Sequence, residues 1–366
     1  MRQKDTNIKF RRIIIYYFSG TGNAKNTAFW IGEEAQKQGI DTEIINITKI
    51  RNKQIIQPEE NTLIGFISPT HGFHFPGIMR KFIRDFPKVK NCSAFVANTR
   101  AGLRLGKIII PGLSGLLHYW ALTLLYLKGF KIIGLQAVDL PSNWISIHPS
   151  LRKKGVEIIY RHVEPKVRSF AKKIIDGERS YRALYDIIQD TIISPVSILY
   201  ILFGKYFFAK SFIASSDCDM CGLCKKTCPV QAIKQVDNRM FWTYKCESCM
   251  KCMNNCPQKA IETAHGFIIV LWFFTSFFIG YAISQFLSYP NFENWQWLQN
   301  KNIKTLIASL IIFPFLFIGY RLMHWLMRFK IFEHFFVLSS LTKYKFWGRY
   351  RAPDKRMKTN SKQETL

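Results

Sequence analysis

The stretches CDMCGLCKKTCP at 218–229 and CESCMKCMNNCP at 246–257 are one pattern written twice. Each reads C-x2-C-x2-C-x3-C-P, and each cysteine of the second lies 28 residues after its counterpart in the first. Ala232-Ile233 and Ala260-Ile261 repeat at the same offset, so the segment is a duplicated unit. It takes up eight of the nine cysteines. A disulfide framework belongs to small secreted chains, not to one of 366 residues without a convincing signal peptide. Zinc wants four ligands in a tetrahedron, so two zinc sites would use two C-x2-C pairs each. That leaves the third cysteine of each run, and the proline after the fourth, without a role.

The spacing is instead that of thiolates holding two 4Fe–4S clusters. Three thiolates two residues apart can wrap one cube, while the fourth, carried away by the proline turn, reaches the other. This predicts one cluster on Cys218, Cys221, Cys224 and Cys256, and one on Cys246, Cys249, Cys252 and Cys228. Residues 215–264 resemble bacterial two-cluster ferredoxins, and the resemblance implies a small α+β domain.

Working outward, Lys and Arg outnumber Asp and Glu by 52 to 24, a formal charge of +28. That excess requires an anionic partner: nucleic acid, lipid headgroups or an acidic protein. Basic and aromatic residues together can bind single-stranded nucleic acid. Here many Phe lie in apolar runs near the C-terminus, which favours membrane, and no nucleic acid is expected. Arg11-Arg12 loosely resembles a twin-arginine signal. The apolar run after it is only six residues and no A-x-A site follows. The soluble part is expected in the cytoplasm, a compartment that suits thiolate clusters.

In the first half, Ile13 to Phe18 is a wholly apolar, β-branched and aromatic run, the mark of a buried parallel strand. Ser19-Gly20-Thr21-Gly22-Asn23 follows, then a helical stretch from Ala24 to Gln38 closed by Gly39. A strand, a hydroxyl- and Gly-rich turn and a helix N-terminus make a phosphate cradle. Further strands are predicted at Thr42–Ile47, Leu63–Ser68, Ala94–Asn98 and Phe130–Val138, and a last helix at Glu157–Ile175. The alternation predicts one α/β doubly wound parallel sheet with ligand loops beyond its C-terminal edge.

Residues 8–178 resemble the flavodoxin fold. The resemblance implies FMN, with Ser19, Gly20, Thr21, Gly22, Asn23 and Ala24 around its phosphate. Pro69, Thr70, His71 and Gly72 and Asn98, Thr99, Arg100 and Gly102 would then hold the ring. Ala24 departs from the pattern by lacking a hydroxyl. The Asn98–Gly102 loop has no aromatic residue, so His71 or Phe73 is the candidate for stacking. The segments around these loops hold no Asp or Glu, but carry Lys25, Arg80, Lys81, Arg84, Arg100, Arg104 and Lys107. Arg100 is expected to face the ring and favour the anionic reduced flavin. Cys92 reads as a buried small hydrophobe.

Residues 179–214 read as an apolar helical linker. Its Ile192–Phe208 stretch is expected to pack between the redox domains, with the membrane interface as the alternative. Ile108–Leu127 is uncharged over twenty residues, but it joins two parallel strands and must return along the sheet as a buried or interface-facing helix. Gly266–Leu287 is 22 uncharged residues, roughly 33 Å as a helix, and Thr305–Met327 is similar. These predict a two-helix membrane hairpin at 266–327, with Tyr289, Trp295 and Trp297 in its loop. Arg321 would snorkel from its end. Arg328, Lys330, Lys343, Lys345, Arg349 and Arg351 follow, in a basic tail at 328–366 that would be cytoplasmic by the positive-inside rule.

The sequence therefore predicts a membrane-anchored electron carrier at the inner membrane, its redox domains on the cytoplasmic side. Electrons would pass between FMN, one cluster, the other, and an acidic redox protein or membrane redox complex. The alternative is a flavin-dependent reductase of a small substrate such as a quinone, with His71 the one acid–base candidate. A basic nucleic-acid binder with structural clusters is the remote reading, testable by salt-sensitive binding.

Overall fold

Five parallel strands in the order β2-β1-β3-β4-β6 form the sheet: β1 (Arg12–Tyr17), β2 (Asp41–Asn46), β3 (Thr62–Pro69), β4 (Ser93–Leu105) and β6 (Lys131–Pro141). This computed structural model describes residues 10–50, 55, 57–105, 108–287 and 300–353. The expected hairpin loop with Tyr289, Trp295 and Trp297, and Lys107, lie outside those residues. Helices α1 (Asn23–Lys37) and α4 (Lys153–Ile175) share one core with one face of the sheet. α2 (Gly77–Asp85) and α3 (Leu117–Leu127) pack on the other. Strands buried on both faces read as apolar runs, which is why Ile13 to Phe18 is so uniform. Cys92 is buried in the second core, as a small apolar group would be.

The Ile108–Leu127 stretch is not one helix. Ile108–Ile110 is a short strand, β5, antiparallel to the end of β4, and helix begins only at Leu117. Pro111, Gly112 and Gly115 separate them, and Gly115 takes a positive φ of 55°. Such residues break a helix more strongly than absence of charge promotes one.

The cysteine unit begins three residues earlier than expected, because β7 (Phe212–Ala214) pairs antiparallel with β10 (Ile261–Thr263). Between them lie α7 (Leu223–Thr227), the hairpin β8 (Ile233–Val236) and β9 (Arg239–Trp242), and α8 (Lys251–Asn255). The duplication is written into the backbone. Left-handed φ values recur 28 residues apart at Met220 and Ser248, at Gly222 and Met250, and at Gln231 and Lys259.

The linker is helical over Arg182–Ala209, through α5 (Ile187–Leu199), a π turn and α6 (Lys205–Ala209). Among the described residues it is the one helix long and apolar enough to cross a membrane. Its polarity is inside out. Asp190 and Ser197 face the flavodoxin-like domain and are buried, while Ile188, Ile192, Leu199 and Leu202 are exposed. The expectation of burial between the redox domains is thus only half met: one face packs and the other does not.

Residues 265–287 are helical through α9 (His265–Phe274), a π turn and α10 (Gly280–Leu287), and α11 spans Lys301–Leu326. Phe267, Leu271, Leu316, Tyr320 and Met323 pack inward, whereas Ile269, Trp272, Phe273, Phe277 and Phe278 are exposed. Arg321 is exposed. Beyond these helices the described part of the expected basic tail, residues 328–353, is folded. α12 (Lys330–Leu338) packs on α9, and Trp347 and Tyr350 enter the main core. Aromatic area outweighs the flanking charges there: burying a large side chain is worth about 1.5–3 kcal/mol.

Candidate redox site

Four loops meet at the C-terminal edge of the sheet. Ser19, Gly20, Thr21, Asn23, Ala24, Pro69, Thr70, His71, Gly72, Thr99 and Arg100 line one cleft there. Gly22, Asn98 and Gly102 do not. Gly22 faces Ala352, and Gly102 pairs with Pro141 within the sheet. Asn98 is buried below, where its amide donates to Thr70 Oγ1 at 2.8 Å and to Ser114 Oγ at 3.0 Å. The fourth loop, Pro141-Ser142-Asn143-Trp144, was missed. It follows the last strand at the same sheet edge, a position that could have flagged it. Trp144 supplies the aromatic surface that the Asn98–Gly102 loop lacks.

The turn at residues 19–23 has the form of an anion cradle. Gly22 adopts φ 111°, a conformation that favours glycine. It precedes α1 without any side-chain cap, so the N–H groups of Asn23 and Ala24 have no acceptor within the helix. Ser19 Oγ accepts from the Gly22 N–H at 3.0 Å, and Thr21 Oγ1 accepts from Asn143 Nδ2 at 2.8 Å. Both hydroxyls keep a proton to donate. His71 Nδ1 and Asn98 Oδ1 are buried without a partner among the described residues. Burial lowers the His71 pKa to about 4, so the ring is neutral at pH 7. These features fit a flavin mononucleotide: its phosphate at the turn, its ring near His71, Phe73 and Trp144.

Arg100 departs from expectation. It is buried, and its guanidinium is clamped by Asp139, with Nε to Oδ1 at 2.8 Å, and by Asp186. Asp139 also accepts from the Gly112 N–H at 2.7 Å. Asp190 lies close by and accepts from the Ser114 and Gly115 N–H groups at 2.8 and 2.9 Å. Burial holds the Asp190 carboxyl above its usual range, against those two hydrogen bonds. One guanidinium thus faces two carboxylates, and Arg100 offers no free cation to an anionic flavin. The acids missing from the ligand loops arrive from β6 and the linker.

The cysteine unit docks against this cleft through its second motif. Ser248 lines the cleft, and Gly20 lies directly against the Cys249 carbonyl. Glu247 Oε2 accepts from the Gly77 N–H at 2.9 Å, at the start of α2. The cysteines lie close together in two sets, Cys218, Cys221, Cys224 with Cys256, and Cys246, Cys249, Cys252 with Cys228. The fourth cysteine of each run lies with the other run's triplet because the turn after α7 or α8 carries it across. The Ala232 N–H donates to Cys228 Sγ at 3.2 Å and the Ala260 N–H to Cys256 Sγ at 3.4 Å. Burial pushes the Cys224 thiol up to about 11 and the Cys249 thiol up to about 12, with Cys246 and Cys252 also raised. Thiolates at such positions need a bound cation, which deprotonates a ligating thiol. Among the described residues no group of three or more His, Cys, Asp or Glu closes on a single-ion position. A 4Fe–4S cluster would instead be held by four thiolates on separate iron atoms. Cys249 is buried toward the cleft, while Cys221 is exposed.

Residues 212–234 match a 4Fe-4S binding domain family, Fer4. No curated protein matches the chain. The rubredoxin oxygen:oxidoreductase of Desulfovibrio gigas is 11% identical over 46% of this chain and 36% of its own, with a TM-score of 0.30. The flavodiiron core Flv1 from Synechocystis is 16% identical over 46% and 37%, with a TM-score of 0.27. The chain spans little more than a third of either. Flavodoxin 1 from Bacillus cereus is 15% identical over 43% of this chain and 97% of its own, with a TM-score of 0.26. The flavodoxin-like fold rests on the strand order and register described above. The 4Fe–4S family match adds an iron–sulfur segment to that fold.

Proposed function

We propose that this chain is a membrane-anchored electron relay with FMN in the cleft and two 4Fe–4S clusters in series. The contact of Ser248 with the cleft carries the reading, because it brings the second cysteine motif to the cleft proposed for the flavin. The cluster on Cys246, Cys249, Cys252 and Cys228 exchanges electrons with FMN. The cluster on Cys218, Cys221, Cys224 and Cys256 exchanges with an acidic redox protein or membrane redox complex at the exposed Cys221 edge. The cofactors supply one- and two-electron chemistry, and the chain supplies distances and environment. Lys225 and Lys226 on α7 suit an acidic partner.

The hairpin at 266–327 anchors the relay, and the inside-out helix Arg182–Ala209 rests its exposed apolar face on the same inner-membrane surface. Phe207 at the end of that helix packs against the hairpin core, which makes the apolar surface continuous. By the positive-inside rule, the cations after the hairpin favour a cytoplasmic side for the redox domains. Tyr200 on the same helix packs on Gly72 at the cleft, which supports reduction of a lipid-soluble quinone as a second reading.

Anaerobically purified full-length protein tests the relay. It should contain one FMN and eight iron per chain by the proposed stoichiometry. Flash reduction of the flavin should be followed by bleaching of the cluster absorbance. Absence of flavin, or a flavin that never equilibrates with the clusters, would refute the relay. Steady turnover of a quinone without a protein acceptor would favour the second reading.

A further inference from the structure

After the hairpin, the chain returns to the phosphate turn. Tyr350 is 2% exposed, and its hydroxyl donates to Asn23 Oδ1 at 2.6 Å. The Tyr350 N–H donates to Asn254 Oδ1 at 2.7 Å, and Asn254 stands between Cys252 and Cys256 on α8. The Ala352 N–H donates to the Thr21 carbonyl at 2.9 Å, and Asn26 Nδ2 donates to the Pro353 carbonyl at 2.8 Å. The Ala352 methyl fills the space beside Gly22, where an added Cβ would lie 2.7 Å from it. Arg351 Nε and Arg349 NH2 complete the seam, bonding the Asn254 carbonyl at 2.8 Å and the Ile261 carbonyl at 2.9 Å.

These contacts engage both ends of the Asn23 side chain. Its Oδ1 accepts from Tyr350 and, at 2.8 Å, from Tyr160, while its Nδ2 donates to the Pro141 carbonyl at 2.8 Å. What Asn23 keeps for an anion is its backbone N–H and the second hydrogen of Nδ2, and the strap fixes where both point. Ala24 offers no hydroxyl and α1 has no side-chain cap, so backbone donors carry much of the anion binding at this turn and their placement matters.

We infer that residues 349–353 form a strap that completes the flavin phosphate site, with Tyr350 a positioning residue acting through Asn23. The inference rests on the FMN reading. It makes flavin affinity depend on a segment more than 320 residues away in the chain, held in place by the cluster unit and the hairpin.

The test titrates the flavin-depleted full chain with FMN and with riboflavin, which has the same ring and no phosphate. Tyr350→Phe should lower the ratio of FMN to riboflavin affinity about tenfold, near the upper worth of one hydrogen bond. Ala352→Leu, which has no room beside Gly22, should lower the ratio likewise. Iron and sulfide content should stay unchanged in both. An unchanged ratio in both variants, or equal losses for the two ligands, overturns the strap while leaving the flavin reading intact. A wild-type chain that takes up no FMN overturns the flavin reading itself, and the strap with it.

Discussion

Gly20→Ala places a methyl where the second cysteine motif already lies. A Cβ on Gly20 would sit 2.2 Å from the Cys249 carbonyl oxygen and 3.1 Å from Cys249 Cβ. The carbonyl is backbone and cannot swing aside. Ordinary contact begins at 3.4 Å, so the seam must open by the 1.2 Å difference at this point. Overpacking of this kind costs about 1–3 kcal/mol. That is roughly a 5–150-fold shift in the equilibrium between docked and parted units. The full-length variant should melt several degrees lower, at about 2–4 °C per kcal/mol for a unit of this size. Flash reduction of its flavin, compared at equal flavin occupancy, should show slower transfer to the clusters, with iron content unchanged. Gly155→Ala, in α4 with nothing within 4 Å, is the control. A Gly20→Ala protein with the wild-type melting point and transfer rate would refute the contact, and with it the route from flavin to the Cys249 cluster.

Three buried histidines give the flavodoxin-like domain an acid-labile window. Burial lowers His71 to about 4 and, with Arg80 and Arg100 adding repulsion, His74 and His118 to about 3. Their unfolded value is near 6.5, so the stability is complete above it and drains as pH falls toward 4, at about 1.4 kcal/mol per unit for each histidine. Urea midpoints that stay flat from pH 7 to 5 would contradict this. Arg100→Gln leaves Asp139 and Asp186 without their cation and should destabilise by about 3–5 kcal/mol, with a loss under 1 kcal/mol in urea denaturation counting against the clamp. Cys228→Ala should damage the cluster on Cys246, Cys249 and Cys252. Electron paramagnetic resonance showing loss of the Cys218 cluster instead would reverse the crossed arrangement.

The sequence by itself determined what depends on neighbours in the chain. Cysteine spacing is readable because thiolates of one triplet must close within six residues, and the duplication shows at a fixed offset. Strand, turn and helix at Ile13 to Gln38 were readable because a strand buried on both faces and an open helix N-terminus each leave a local mark. Only the tertiary structure decided what crosses the chain. Arg100 looked like a free cation beside the flavin until Asp139 and Asp186 met it from β6 and the linker. Trp144 entered the cleft by the position of its strand, and nothing in the residues around it says so. The exposed apolar face of Arg182–Ala209 could not be told from a core face, since periodicity gives a stripe and not the side that water or lipid occupies. Tyr350 lies in a run rich in Lys and Arg that reads as a solvated tail. It is buried because its ring and hydroxyl find Asn23 and Asn254, and partners brought together by folding leave no periodicity in the sequence.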